Sequence, residues 1–141
     1  MPDDFEYAKE ILETIPFLMR SIRSTMRGIA KSDLTVPQFR ILNHISKAPL
    51  INRDLSDWMG VAAPTMTRMV DPLVKRGLII RSEGRDRREN ILKLTKLGIL
   101  KTDAIRKVMR NKLVARLKKV RPSEKNKLSS SLKVLREVLA G

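Results

Sequence analysis

The chain of 141 residues contains no cysteine. Disulfides, thiolate ligands and thiol-based redox sensing are therefore excluded within it. His44 is the only histidine, and one imidazole without companions makes a poor metal site. Neither a metal nor another cofactor is expected. Aromatic residues are scarce: Trp58, Tyr7, Phe5, Phe17 and Phe39, all within helical patterns. That scarcity argues against an RNA-binding adaptor, because single strands are recognised by stacking bases on exposed rings. No apolar stretch approaches the ~20 residues of a membrane span. The acidic start, Met1-Pro2-Asp3-Asp4, is unlike a signal peptide, so a cytoplasmic location with no membrane partner is expected. There is no GxxxxGK[ST] loop, metal-ligand cluster or multi-histidine set, and the expectation is that the protein is not an enzyme.

Acidic residues are also few, 15 against 30 Lys and Arg, for a formal net charge of +15. Such an excess points to an anionic polymer or surface as partner. Hydrophobic residues make up 42%, enough for a core. The length suits one domain with helical extensions.

The most informative stretch is residues 55–90. A short apolar-periodic helix ends at Gly60, and a second follows over about residues 63–76. Glycine supplies the permissive backbone of a tight helix-to-helix turn. Leu55, Trp58 and Met59 on one side, and Val61, Met66, Val70 and Leu73 on the other, give facing apolar edges. Trp58 is expected in the core. The pattern is a helix-turn-helix, whose second helix enters a DNA major groove. Gly77 ends that helix. Residues 78–81 and 91–94 then form two short strands, joined by the polar, basic link Glu83-Gly84-Arg85-Asp86-Arg87-Arg88. A basic hairpin after the second helix makes a winged helix-turn-helix. Thr65, Thr67 and Arg68 lie early in the second helix, where base edges are reached, and Pro64 shapes its start.

The residues Leu55, Gly60, Pro64-Thr65-Met66-Thr67-Arg68, Asp71, Leu73, Gly77-Leu78, Asp86-Arg87-Arg88 and Leu94-Thr95 with Gly98 carry a resemblance. Across residues 55–98 the chain resembles the DNA-binding region of the MarR family of bacterial transcription regulators. The Asp-Arg-Arg wing with its downstream Leu-Thr-x-x-Gly is the most specific part. The resemblance implies a homodimer on a palindromic double-stranded DNA operator, acting as a repressor and often released by a small ligand. It also implies that Asp86 steadies the wing by pairing with a neighbouring arginine. Arg87 is expected in the minor groove, with Arg85 as its reserve and Arg88 more structural. Two departures stand out. Family members commonly place Ser or Thr where this chain has Ala62, so no side chain caps the second helix. Pro72 falls inside that helix, where a bend after Asp71 is expected.

The flanks fit a mainly α fold with a small β-wing, in which the winged domain (34–98) lies between a first dimerisation helix (1–31) and C-terminal connector and dimerisation helices (99–141). Residues 4–31 read as one long helix with apolar positions at Phe5, Ala8, Leu12 (beside Ile11), Ile15, Leu18 or Met19, Ile22 and Met26, which Pro16 should kink or split. Its second half carries a basic stripe at Arg20, Arg23, Arg27 and Lys31. Thr35 and Gln38 form a capping box for the next helix. Residues 48–51 are a connector or a short first strand, and Asn52 is expected to cap the helix that follows. Thr95 caps a long helix whose buried side is assigned to Leu97, Leu100, Ala104, Ile105, Val108, Met109, Leu113 and Leu117. After Pro122, the stripe Leu128, Leu132, Leu135 and Leu139 has no evident partner in a small winged domain. Together with Leu12 it is assigned to packing against a second subunit. By the resemblance, an anionic aromatic effector would bind where the dimerisation helices meet the winged domain. Met19, Met26 and Met109 would offer an adaptable apolar lining, and Arg23 or Arg27 would meet a carboxylate. The alternative function is a nonspecific architectural DNA-binding protein.

Overall fold

Asp3 starts the first helix, α1 (Asp4–Gly28), by accepting a hydrogen bond from the Glu6 N–H at 3.0 Å. The computed structural model describes residues 1–29, 34–85 and 89–141. Lys31 and the wing residues Asp86, Arg87 and Arg88 lie outside the described residues. Pro16 sits within α1 and does not split it. Of the apolar positions on α1, Met26 is buried, whereas Phe5, Leu12, Ile15, Phe17 and Leu18 are exposed.

Helix α2 (Val36–Ile45) carries the full capping box. The Gln38 N–H donates to the Thr35 hydroxyl at 3.2 Å, and the Thr35 N–H donates to Gln38 Oε1 at 2.9 Å. Strand β1 (Leu50–Ile51) leads into α3 (Asn52–Met59), which stops at Gly60 with φ +70°. Helix α4 (Ala63–Lys75) follows after two residues. The expected side-chain cap from Asn52 is not made. Helix α3 already begins at that residue, and the Asn52 amide instead donates to the Ala63 carbonyl at 3.5 Å, which bridges the two helices. Pro72 lies inside α4, yet the helix runs on to Lys75, and the Arg76 N–H donates to the Pro72 carbonyl at 3.0 Å.

Strands β2 (Ile79–Glu83) and β3 (Asn90–Leu94) form an antiparallel hairpin, and β1 pairs on the far side of β3. The register sets Arg81 opposite Leu92 and Leu50 opposite Leu92. Helix α5 (Lys96–Leu117) and helix α6 (Pro122–Ala140) complete the chain.

Two compact units result, Met1–Arg106 and Lys107–Gly141. In the first, Ile41, Leu42, Leu55, Met66, Val70, Leu73, Leu78 and Leu92 are fully buried. Each such side chain contributes about 1.5–3 kcal/mol of burial free energy. They bring α2, α3, α4 and the sheet onto one core.

The buried face of α5 matches the sequence assignment at Ile105 and departs from it at Leu97, Leu100 and Leu113. Gly98, Thr102 and Ile105 are buried, while Leu97, Leu100 and Leu113 are exposed. Small residues win this face because the helix lies against backbone. A Cβ at Gly98 would stand 2.1 Å from the Leu78 carbonyl oxygen. The Thr102 hydroxyl turns inward and donates to the Gly98 carbonyl at 2.7 Å, so its polar group is satisfied in the core. Thr95 joins the same junction. Its N–H donates to the Leu78 carbonyl at 3.1 Å, its hydroxyl donates to the Gly77 carbonyl, and that hydroxyl accepts from the Gly98 N–H at 3.0 Å.

In the second unit, α6 starts with Pro122 in its first turn and has no buried residue. Leu128, Leu132 and Leu139 are exposed, and Leu135 is half-buried.

Candidate nucleic-acid interface

Helix α4 has two sides with different work. Met66, Val70 and Leu73 recur at four- and three-residue steps and are fully buried against the core. Pro64, Thr65, Thr67 and Arg68 fall between them and are all exposed. The burial of one face fixes how the other is presented. Ala62 precedes the helix in extended conformation and offers no side-chain cap. First-turn N–H groups of α4 are therefore left to water or to an external acceptor. The Thr67 hydroxyl donates to the Ala63 carbonyl at 3.1 Å, which holds its methyl group at a defined angle. Among the described residues, Arg68 has no ion-pair partner, so its guanidinium keeps its donors for another molecule.

Three contacts that sequence reasoning missed brace this surface. Asp71 on α4 pairs with Arg81 on β2, which links the second helix of the pair to the hairpin. Arg53 on α3 reaches Glu89 at the loop end of the hairpin, 3.4 Å away. The Gly84 N–H donates to the Glu89 carbonyl at 2.7 Å and closes the hairpin, where a Cβ on residue 84 would meet that same oxygen at 2.7 Å. Arg85 is exposed at the tip. The only hint in the sequence was opposite charge on neighbouring elements, which does not say which carboxylate meets which guanidinium.

Trp58 is not a core residue. It is 45% exposed and stacks flat on His44, with ring centroids 3.7 Å apart and planes at 7°. Arg40 lies over the indole at 5.4 Å. Leu55 and Met66 are fully buried, whereas the large indole is left at the rim. Burial and the neighbouring Lys47 hold the His44 imidazole below its ordinary pKa of 6.5.

Of the residues assigned to an effector, Arg23, Met26 and Arg27 come together. They line a cavity of about 290 Å³ with Leu34, Thr35 and Val36, at the end of α1 and the start of α2. Met19 and Met109 are half-buried and are not part of that lining. Among the described residues there is no group of His, Cys, Asp or Glu that could hold a metal ion, and no helix is long and apolar enough to cross a membrane.

A pair of helices joined at a positive-φ glycine, followed by an antiparallel hairpin on the same core, defines a winged helix-turn-helix protein. Residues 32–89 match the model of the MarR family. Solved structures agree along the whole chain. RV1404 from Mycobacterium tuberculosis is 25% identical, with a TM-score of 0.82, over 99% of this chain and 97% of that one. A MarR family protein from Bacillus stearothermophilus has a TM-score of 0.82 at 20% identity, over 99% of this chain and 100% of that one. FabT of Streptococcus pneumoniae, solved in complex with DNA, has a TM-score of 0.77 at 23% identity, over 97% and 98%. No curated protein sequence matches the chain.

Proposed function

We propose that the protein is a sequence-specific, duplex-DNA-binding repressor that acts as a homodimer on a palindromic operator. The carrying observation is the two-sided α4, whose apolar face is locked in the core while Pro64, Thr65, Thr67 and Arg68 stand exposed. The solved complex of FabT with DNA, a protein of the same fold, supports the reading. Arg68 can pair bidentately with guanine, which is worth about 1–3 kcal/mol of discrimination. Arg87, with Arg85 as its reserve, is assigned to the minor groove, where a narrow A·T tract concentrates negative potential. Asp86 and Arg88 steady the wing.

The exposed stripes on α1, with Leu12, and on α6, with Leu128, Leu132, Leu135 and Leu139, are the surfaces a second copy covers. Two recognition helices would then stand one DNA turn apart, about 34–36 Å. The cavity at Arg23, Met26 and Arg27 supports an effector of carboxylate chemistry with an apolar body. Such a ligand releases DNA only if it favours one spacing of the recognition helices over another.

The test is the ratio of specific to nonspecific affinity at physiological salt, measured on duplexes selected from a random pool. The repressor reading expects a ratio of about 10³ or more, lost in Arg68→Ala with nonspecific affinity retained. A wild-type ratio near unity would instead identify an architectural DNA-binding protein.

A further inference from the structure

The second unit carries a density of positive charge that neither α4 nor the hairpin uses. Residues 107–141 contain eleven Lys and Arg against two Glu, a net +9 out of the +15 of the whole chain. Seven of the eleven fall within residues 107–121, a stretch with no acidic residue at all, and every one of the seven is exposed. Arg121 pairs with Glu124 at 3.0 Å. Among the described residues, Lys112, Arg116, Lys118 and Lys119 have no ion-pair partner.

This arrangement works against the fold that holds it. Lys112 and Arg116 stand four residues apart on α5, where like charges repel. Lys118 and Lys119 add two more just past the helix end. The helix dipole favours a cation in the last turn, which accounts for Arg116 but not for Lys112. A surface of this density gathers counterions, and their release is the driving force when a polyanion covers it.

The chemistry of the patch narrows the polyanion. No aromatic residue occurs beyond Trp58, so the second unit has no platform for stacking unpaired bases. Membrane-surface helices separate a basic face from a broad apolar one and anchor with Trp or Phe. Here Lys112 and Arg116 share one side of the helix and Leu113, Leu117 and Val114 another, but no ring is present to anchor it in a headgroup layer. What remains is closely spaced phosphate read without bases. We propose that Lys112, Arg116, Lys118, Lys119 and Arg121 form a second nucleic-acid surface that binds the phosphate backbone of duplex DNA independently of sequence. A protein with both surfaces links two duplexes, or two segments of one. The inference rests on the proposed duplex-binding role of α4 but uses none of its residues.

The experiment is a bridging assay with the full chain and two duplexes of unrelated mixed sequence, one bearing a donor dye and one an acceptor. Wild type brings the dyes together, and its bridging falls roughly 100-fold between about 50 and 200 mM salt, as about four phosphate contacts require. The variant K112Q/R116Q/K118Q/K119Q keeps its helical circular dichroism and its binding to one duplex, and loses bridging at least about tenfold. The half-variants K112Q/R116Q and K118Q/K119Q each lose part. Arg68→Ala keeps bridging. Equal bridging by wild type and the fourfold variant overturns the proposal. Binding to vesicles of equal parts phosphatidylcholine and phosphatidylglycerol, with no bridging of duplexes, overturns it in favour of a lipid surface. A wild-type specificity ratio near unity would sink the repressor reading while bridging by the second unit would still be measured, so the two failures are distinguishable.

Discussion

Replacing Gly98 with alanine tests the junction on which α5 is seated. In an ordinary exposed helix, Gly→Ala gains about 1 kcal/mol. At Gly98 the added Cβ would stand 2.1 Å from the Leu78 carbonyl oxygen and 3.1 Å from its carbon. An unstrained carbon-to-oxygen contact needs about 3.3–3.6 Å, so the first turn of α5 must retreat by about 1.2 Å or more. Nothing at the end of a flexible side chain can yield, because the obstacle is backbone. The retreat pulls on the Thr95 N–H bond to Leu78 and the Thr95 hydroxyl bond to Gly77. Each lost bond costs about 1 kcal/mol. Overpacking adds about 1–3 kcal/mol. After the gain in helix propensity, a net loss of about 2–4 kcal/mol remains. For a domain near 100 residues that lowers Tm by about 8 °C or more. Thermal unfolding followed by circular dichroism measures it, with Gly98→Ser expected to behave alike. An unchanged or raised Tm would mean that helix propensity alone governs the site and that α5 does not rest on the Leu78 backbone.

Three further outcomes follow from the contacts around the core. Arg106→Ala removes the Nε bond to Asn43 Oδ1 at 2.7 Å and the guanidinium contact to Ser46, which together tie α5 to the end of α2; a loss of about 1–2 kcal/mol in denaturant unfolding is expected, and no loss would mean the network is solvated. The Asp71–Arg81 pair is partly exposed, so a double-mutant cycle with Asp71→Asn and Arg81→Gln should give a coupling below about 1 kcal/mol, and a larger value would mark the pair as desolvated. His44 sits below its ordinary pKa of 6.5, so the unfolded chain takes up its proton first as pH falls. Its contribution is present above pH 6.5 and is lost as pH drops from there through the folded-state pKa; His44→Gln removes that dependence, and an NMR titration placing His44 above 6.5 would show that the indole face stabilises the imidazolium instead.

The parts of the fold set by local chemistry were legible in the sequence. Thr35 and Gln38 cap α2 as their spacing implies, Gly60 makes the turn, and the hairpin lies where alternation and glycine place it. The parts set by close approach were not. Leucines at helical spacing marked the wrong side of α5, because a helix resting on backbone needs Gly98 and Thr102 there, residues that hydrophobic periodicity does not weigh. Trp58, an aromatic at helical spacing, was expected in the core but is 45% exposed and stacks on His44. Nothing local in the sequence marks Arg106. Its role depends on Asn43 and Ser46, sixty residues away in sequence, and no local pattern encodes that pairing. On α4 the exposed positions Pro64, Thr65, Thr67 and Arg68 were legible, because burial of Met66, Val70 and Leu73 on a regular helix leaves them no other side.

The stack of His44 on Trp58 gives the molecule an optical gauge at the base of its DNA-reading helices. Trp58 is the only tryptophan, so all indole emission comes from one place on α3. The ring lies flat against an imidazole carried by α2, with centroids 3.7 Å apart, so the surroundings of the indole depend on that contact. Any event that slides α2 over α3 must change the brightness or colour of that single fluorophore. Because Trp58 stands two residues before Gly60 and five before α4, such a slide is sensed beside the turn that sets the attitude of α4. Motion of the helix pair can therefore be timed without a label, on the intact chain, by the light of one residue.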